Sequence, residues 1–327
     1  MRKCVNAEHL EGYVYQHSLT VKQVKNEQSK NFGQDFISGD LEIAVDEEAL
    51  NVITVHFTYV TATTSQGKKN ATYAVLEKLI AEPDKTWVAG GKDIAFKVKV
   101  DTALALNDFI ANDGSQVSAK RNEGGFVSFV TELCPENERN TFQMDMLINK
   151  VRYIEANPEK HIEEDYCTVG GIVFNFRNEI LPVEFVIRNK GGMEYFMDMD
   201  ASDANPTFTK LWGRINCKTI KREYREDSAW GEAQVRTAET KSREWLVTGT
   251  AKVPYEYGDE KVLTAEEITK GCQDREIHWA EIKKRSDEYK ASQALAKGGA
   301  MNFADNKPAP AAPAKPHLSL FNFGGLY

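Results

Sequence analysis

Hydrophobic and polar positions alternate along much of the chain with the period of two that marks half-buried β-strands. Over residues 12–24, Tyr13, Tyr15, His17, Leu19 and Val21 fall on one parity and Val14, Gln16, Ser18, Thr20 and Lys22 on the other. Residues 36–45 follow, then 50–60, where Ile53, Val55, Phe57 and Tyr59 share a face. These three segments predict a meander. Over 67–82 the period lengthens: Tyr73, Leu76, Leu79 and Ile80 recur at helical spacing until Pro83, which cannot continue a helix. A short amphipathic helix is expected there. Ile94, Phe96, Val98 and Val100 then alternate with Ala95, Lys97 and Lys99, predicting a strand with one apolar and one basic side, and 126–133 and 142–154 supply closing strands.

The pattern restarts after residue 166. Segments 172–176, 183–188 and 195–199 read as strands separated by turn residues Asn189, Gly191 and Gly192, and 207–224 and 243–253 add two longer ones. Between the halves, 155–165 is polar, with Asn157-Pro158 and the acids Glu163, Glu164 and Asp165, and reads as a linker. Thr264 with Glu267 three residues on has the form of a capping box, opening a helix over 264–295 whose expected buried stripe is Ile268, Cys272, Ile277, Ala280 and Ile282. Residues 298–327 are rich in Ala and Pro, cannot build a core, and are expected to be an extended, flexible tail. Its apolar tip, with Phe321, Phe323 and Tyr327, is a candidate for docking on a partner. The expected organisation is therefore a first β domain over 1–154, a linker over 155–165, a second β domain with its helix over 166–297, and the tail.

Composition narrows the chemistry. With 41% hydrophobic and 10% aromatic residues in 327, the chain is globular in kind. No apolar run approaches the roughly 20 residues of a membrane span, and the polar start predicts no secretory leader and a cytoplasmic protein. The five cysteines are dispersed and form no C-x-x-C pair, so reduced thiols are expected rather than disulfides or structural zinc. The six histidines form no H-x-H or H-E-x-x-H pair, Gly90-Gly91-Lys92 lacks the phosphate-loop spacing, and no G-x-S-x-G elbow occurs. At Asp198, Asp200 and Asp203 a calcium loop would need Gly and Glu where Asp203 and Thr209 stand, so a solvated turn is expected. No catalytic residue, metal or cofactor is predicted; the chain does not read as an enzyme. The 49 acids outnumber the 41 bases by 8, which disfavours nucleic acid unless the bases cluster.

They do cluster. Over 207–225, Lys210, Arg214, Lys218, Lys221, Arg222 and Arg225 face only Glu223. As a strand, this segment places Lys210, Trp212, Arg214, Asn216 and Lys218 on one face and Leu211, Gly213, Ile215 and Cys217 on the other. Such a face suits a single-stranded nucleic acid: cations follow the phosphates, and an unpaired base stacks on the indole for about 1–3 kcal/mol. The bland alternatives are a Trp212 buried under the C-terminal helix and an ordinary solvated sheet face. Trp230 in the following turn and Arg236, Lys241, Arg243 and Trp245 extend the theme. In the first half, Lys97, Lys99 and Tyr15 form a weaker counterpart, with Tyr59, Lys68 and Lys69 beside a loop.

The order strand-strand-strand-helix-strand-strand in residues 10–133 resembles the OB-fold, a small Greek-key barrel, and the restart after 166 resembles a second. The whole resembles the tandem OB-fold single-stranded DNA-binding proteins of phages and mobile elements. That resemblance implies a mainly β fold of two small barrels with a C-terminal helix and tail. It further implies non-enzymatic binding of single-stranded DNA, with RNA as an alternative, and service in replication or recombination, with the tail recruiting a protein of that process. Two features depart from it: the tail tip is apolar rather than acidic, and the second half shows no helix between its third and fourth strands, leaving an incomplete barrel or another β-sandwich open. The competing reading is a structural or assembly protein of virion type, using its β domains and apolar tail for protein contacts.

Overall fold

The structure, a computed structural model, describes residues 4–64, 66–160, 162–226, 230, 234–256 and 264–298, without the side chains of 218–226, 236–241 and 294–298. The first half runs β1 (Asn6–His17), β2 (Thr20–Gln23), β3 (Asp35–Ala44), β4 (Val52–Thr61), α1 (Ala71–Ala81), α2 (Trp87–Gly90), β5 (Lys97–Ile110) and β6 (Gln116–Phe129). The second runs β7 (Asn140–Ile154), β8 (Tyr166–Phe174), β9 (Ile180–Ile187), α3 (Lys190–Asp198), β10 (Thr207–Glu226), β11 (Gln234–Thr250) and α4 (Ala265–Gly298).

All the strands join one eleven-stranded sheet that closes on itself twice, through the β1–β3 and β7–β10 pairings. The first ring is β1–β3–β4–β6–β5–β1 and the second β7–β8–β9–β11–β10–β7. Each is antiparallel except where its third strand meets its fifth, β4 with β6 and β9 with β11. Each carries a helix between its third and fourth strands. The protein is mainly β, two OB-like barrels in tandem.

Alternation puts Leu10, Val14, Ile37, Leu41, Ile53, Val55, Val98 and Val100 inside the first ring, and α1 adds Leu76 and Leu79. Met144, Ile148, Val169, Phe185, Leu211, Ile215 and Trp245 fill the second, with Phe196 from α3. All belong to a single contiguous core.

Several elements differ from their sequence patterns. The expected strand 12–24 is two strands, broken where the Ser18 N–H donates to the Asp40 carbonyl and its Oγ accepts from the Asp40 N–H. β5 and β6 extend through 101–125, a stretch concealed because β6 is polar on both parities. Segment 195–199 is helix, not strand: Asn189 caps α3 by accepting the Gly192 N–H, and Phe196 is its buried residue. That helix completes the second ring. Segment 142–154, placed with the first half on sequence, is the opening strand of the second barrel, and the polar stretch 155–165 is the loop to β8.

The capping box on α4 forms reciprocally, the Glu267 N–H to Thr264 Oγ1 (3.2 Å) and the Thr264 N–H to Glu267 Oε2 (2.8 Å). The half-buried face of α4 is Ile268, Gly271, Arg275, Trp279 and Ile282, so Ile268 and Ile282 lie on it as expected, while Cys272, Ile277 and Ala280 are exposed. An ion pair sets this rotation. Arg275 donates twice to the buried Asp108 side chain at the end of β5 (2.9 and 3.2 Å). A β-carbon at Gly271 would lie 2.7 Å from Ile180, so only glycine admits so close an approach. The described residues up to Ile282 form one compact unit, and those of α4 from Lys283 on belong to another. No helix among the described residues is long and apolar enough to cross a membrane.

The barrels are joined by the ladder of Asn6, Glu8 and Leu10 against Met144, Phe142 and Asn140. Beside it the Trp245 Nε1–H donates to Glu8 Oε1 (2.9 Å) and the Thr102 hydroxyl to Glu8 Oε2 (2.7 Å). Burial pushes the Glu8 carboxyl up to about 7 despite both bonds. Glu8 thus keeps its proton in the folded chain where the unfolded chain, at its ordinary 4.5, has released it. Folding stability should therefore fall as pH rises from about 4.5 to about 7 and then level, a loss of about 3 kcal/mol. Urea unfolding across this range should show the decline in the wild type and a flatter profile in Glu8→Gln; identical slopes would refute the assignment.

Candidate nucleic-acid interface

Alternation along β10 sorts its side chains onto two faces. Leu211, Gly213, Ile215 and Cys217 are buried, whereas Lys210, Arg214 and Asn216 are half-buried and Trp212 is 40% exposed. Trp212 is therefore not a buried residue. Its indole lies across Gly249, its partner on β11, where a β-carbon would come within 2.4 Å of Nε1. The glycine is the shelf that holds the ring flat and outward.

Register carries this face across the junction between barrels. Lys210, Trp212 and Arg214 stand opposite Asp145, Gln143 and Thr141 of β7. Gln143 and Thr141 stand opposite Ala7 and His9 of β1, and His9, Glu11 and Tyr13 opposite Asp101, Lys99 and Lys97 of β5. Directly opposed residues project to the same side of a sheet. Lys210, Trp212 and Arg214 therefore share one outward face with Lys97 and Lys99. Among the described residues Lys99, Lys210 and Arg214 form no ion pair. Lys97 donates to the Thr131 carbonyl (3.4 Å) and lies over the Tyr13 ring.

The middle of the face is acidic. Glu11 is buried opposite Lys99, Asp101 flanks His9, and the buried Asp145 accepts the Val5 N–H and the Tyr255 hydroxyl (both 2.7 Å). The first-strand aromatics are structural here. Tyr13 is buried edge-on against Trp87 (5.4 Å), its hydroxyl donating to Glu47. Tyr15 is half-buried against the same small cluster. The Glu47 carboxyl is pulled down to about 2 by hydrogen bonds from Lys92 and Arg139.

Trp230 is 89% exposed, between β10 and β11. The backbone of Lys218, Lys221 and Arg222 continues β10 opposite Ser242, Glu239 and Ala238, but their side chains, with those of Arg236 and Lys241, lie outside the described residues. So do Phe321, Phe323 and Tyr327. Trp245, grouped with the basic stretch on sequence, is 2% exposed and belongs to the core. The Asp198–Asp203 turn is largely exposed, with Asp203 accepting from Asn149.

A second basic and aromatic cluster lies at the edge of the first barrel, where Tyr59, Lys68 and Lys69, singled out on sequence beside a loop, are joined by Lys22, Lys25, Lys30, Phe32 and Phe36, which sequence reasoning passed over. Lys22 of β2 stands opposite Phe36, which packs on the 44%-exposed Tyr59 with ring centres 4.6 Å apart. Lys25, Lys30, Lys68 and Lys69 are exposed in the neighbouring loops, as is Phe32. The signal was present in the lysine-rich 22–30 stretch, but only pairing to β3 brings it to an aromatic pair.

A model of the YorF family matches residues 14–286, most of the chain. The protein belongs to the YorF family. No curated protein matches it. Among solved structures, a deletion mutant of the single-stranded DNA-binding protein from Thermus aquaticus is similar, with 10% identity, a TM-score of 0.43, and coverage of 78% of this chain and 97% of that one. A likeness so distant does not bear on function.

In this YorF chain the exposure of Trp212 depends on Gly249. Gly249→Val should drive the indole off its shelf. In fluorotryptophan-labelled protein the ¹⁹F resonance of Trp212 should shift while those of the other tryptophans stay in place, with a melting temperature lower by a few degrees. An unmoved resonance would show that the ring does not rest on this glycine.

Proposed function

We propose that this YorF protein is a non-enzymatic binder of single-stranded DNA, holding one strand along the outward face that runs from β10 across β7 and β1 toward β5. The observation that carries the reading is Trp212, 40% exposed between Lys210 and Arg214, neither of which forms an ion pair among the described residues. Cations free to meet phosphates, with an aromatic ring between them, are what sequence-tolerant strand binding requires. OB barrels commonly bind oligonucleotides on their outer strands and loops, and the Lys22, Phe36 and Tyr59 cluster gives the first barrel a second point of contact. A protein that holds single strands without reading their sequence serves processes that separate strands, replication and recombination among them.

The net charge of −8 and the acids amid this face keep binding local and sensitive to salt. With Lys99, Lys210 and Arg214 each neutralising a phosphate, the logarithm of affinity should fall against the logarithm of salt with a slope of about −2. Fluorescence anisotropy with labelled oligo-dT should show this slope. Trp212→Ala should weaken binding about tenfold with an unchanged melt, and Lys210→Glu combined with Arg214→Glu should nearly abolish it. Absence of binding by the wild type at low salt would sink the proposal in favour of an assembly role through protein contacts.

A further inference from the structure

We propose that His9, Glu11 and Cys134 form a binding site for a divalent transition metal of the zinc class. His9 and Glu11 are two apart on β1, so both project from its outward side. Cys134 arrives from 123 residues along the chain, its N–H donating to Glu11 Oε1. The imidazole, carboxylate and thiol donor atoms of the three residues all lie within 4.8 Å of one another. His9 Nε2 stands 3.6 Å from Glu11 Oε2, the oxygen other than the one that accepts the Cys134 N–H. Tetrahedral zinc, with bonds of about 2.0–2.3 Å, separates its ligand atoms by roughly 3.3–3.8 Å. Small side-chain rotations close the remaining gap.

The surroundings hold these donors in place. The Asp101 carboxylate lies 3.6 Å from His9 Nδ1, on the far side of the ring. It is placed to accept the Nδ1 proton once Nε2 takes the metal, as the outer carboxylate of a carboxylate–histidine–metal arrangement does. Arg139 is buried and fixes both other arms: its Nε donates to the Cys134 carbonyl (2.7 Å), and its own carbonyl accepts the Glu11 N–H (2.7 Å). One nitrogen, one sulfur and one oxygen select a borderline-soft ion over magnesium or calcium. Three protein ligands leave a fourth position for water. Neither H-x-H nor C-x-x-C spacing announces such a site, because its thiol comes from another part of the fold.

The test uses the full chain stripped with a chelator, without DNA, and so stands apart from the proposed DNA binding. Added Co²⁺ should produce a thiolate-to-cobalt charge-transfer band and visible bands of tetrahedral intensity, and Zn²⁺ should erase both. Cys134→Ser should remove the charge-transfer band and Cys272→Ser, altering an exposed cysteine elsewhere, should retain it. Asp101→Asn, on an exposed residue outside the donor set, should lower affinity roughly 10–100-fold with the circular dichroism unchanged. No cobalt band in the wild type, a band that survives Cys134→Ser, or undiminished affinity in a folded Asp101→Asn would overturn the proposal.

Discussion

The rest of the molecule depends on one short ladder, the pairing of the start of β1 with the start of β7. Because opposed residues share a side, it aligns interior with interior: Glu8 and Leu10 lie level with Phe142 and Asn140, and the two barrels enclose one contiguous core. The same register aligns exterior with exterior. A slip of one residue would turn every outward group of β1 into the core, and β5 would no longer share a face with β10.

The ladder is guarded by polar groups rather than by grease alone. Glu8 of the first barrel takes hydrogen bonds from Trp245 of the second and Thr102 of its own. Lys120 reaches from β6 to the Glu184 carbonyl and sits over the rings of Trp245 (4.9 Å) and Phe185 (5.6 Å), its ammonium pushed down to about 8 by burial. Asn51 and Asn140 both donate to the Ile215 carbonyl, and Asn51 also accepts the Cys217 N–H, tying β10 to the turn between β3 and β4. Buried groups of this kind cost stability when mispaired. They therefore penalise alternative arrangements of the barrels more heavily than an apolar seam would.

The outward face shows what a modest charge balance permits. Lys99, Lys210 and Arg214 share it with Glu11 and Asp101, so its cations flank an acidic centre. A strand crossing it would meet attraction at both ends and repulsion between. A divalent cation held by His9, Glu11 and a Cys134 thiolate would offset part of the negative charge of that centre without reversing it, a consequence that rests on the DNA-binding reading, whereas metal binding itself does not.

Local order was legible wherever neighbours in sequence decide structure. The inside and outside of β10, the end of α1 before Pro83, the capping box at Thr264 and the succession of strands around a helix all follow from side-chain period and backbone chemistry within a few residues. What was not legible depends on partners far along the chain. Tyr195 to Met199 alternates like a strand yet lies in a helix capped by Asn189. α4 turns toward Asp108 rather than along its apolar stripe. Trp245 resembles a stacking platform in sequence but is drawn inward by Glu8, 237 residues away. The sequence by itself determined which residues could face water, charge and aromatic together. Only the tertiary structure decided which of them meet, because pairing between distant strands sets the register, and the register sets the face.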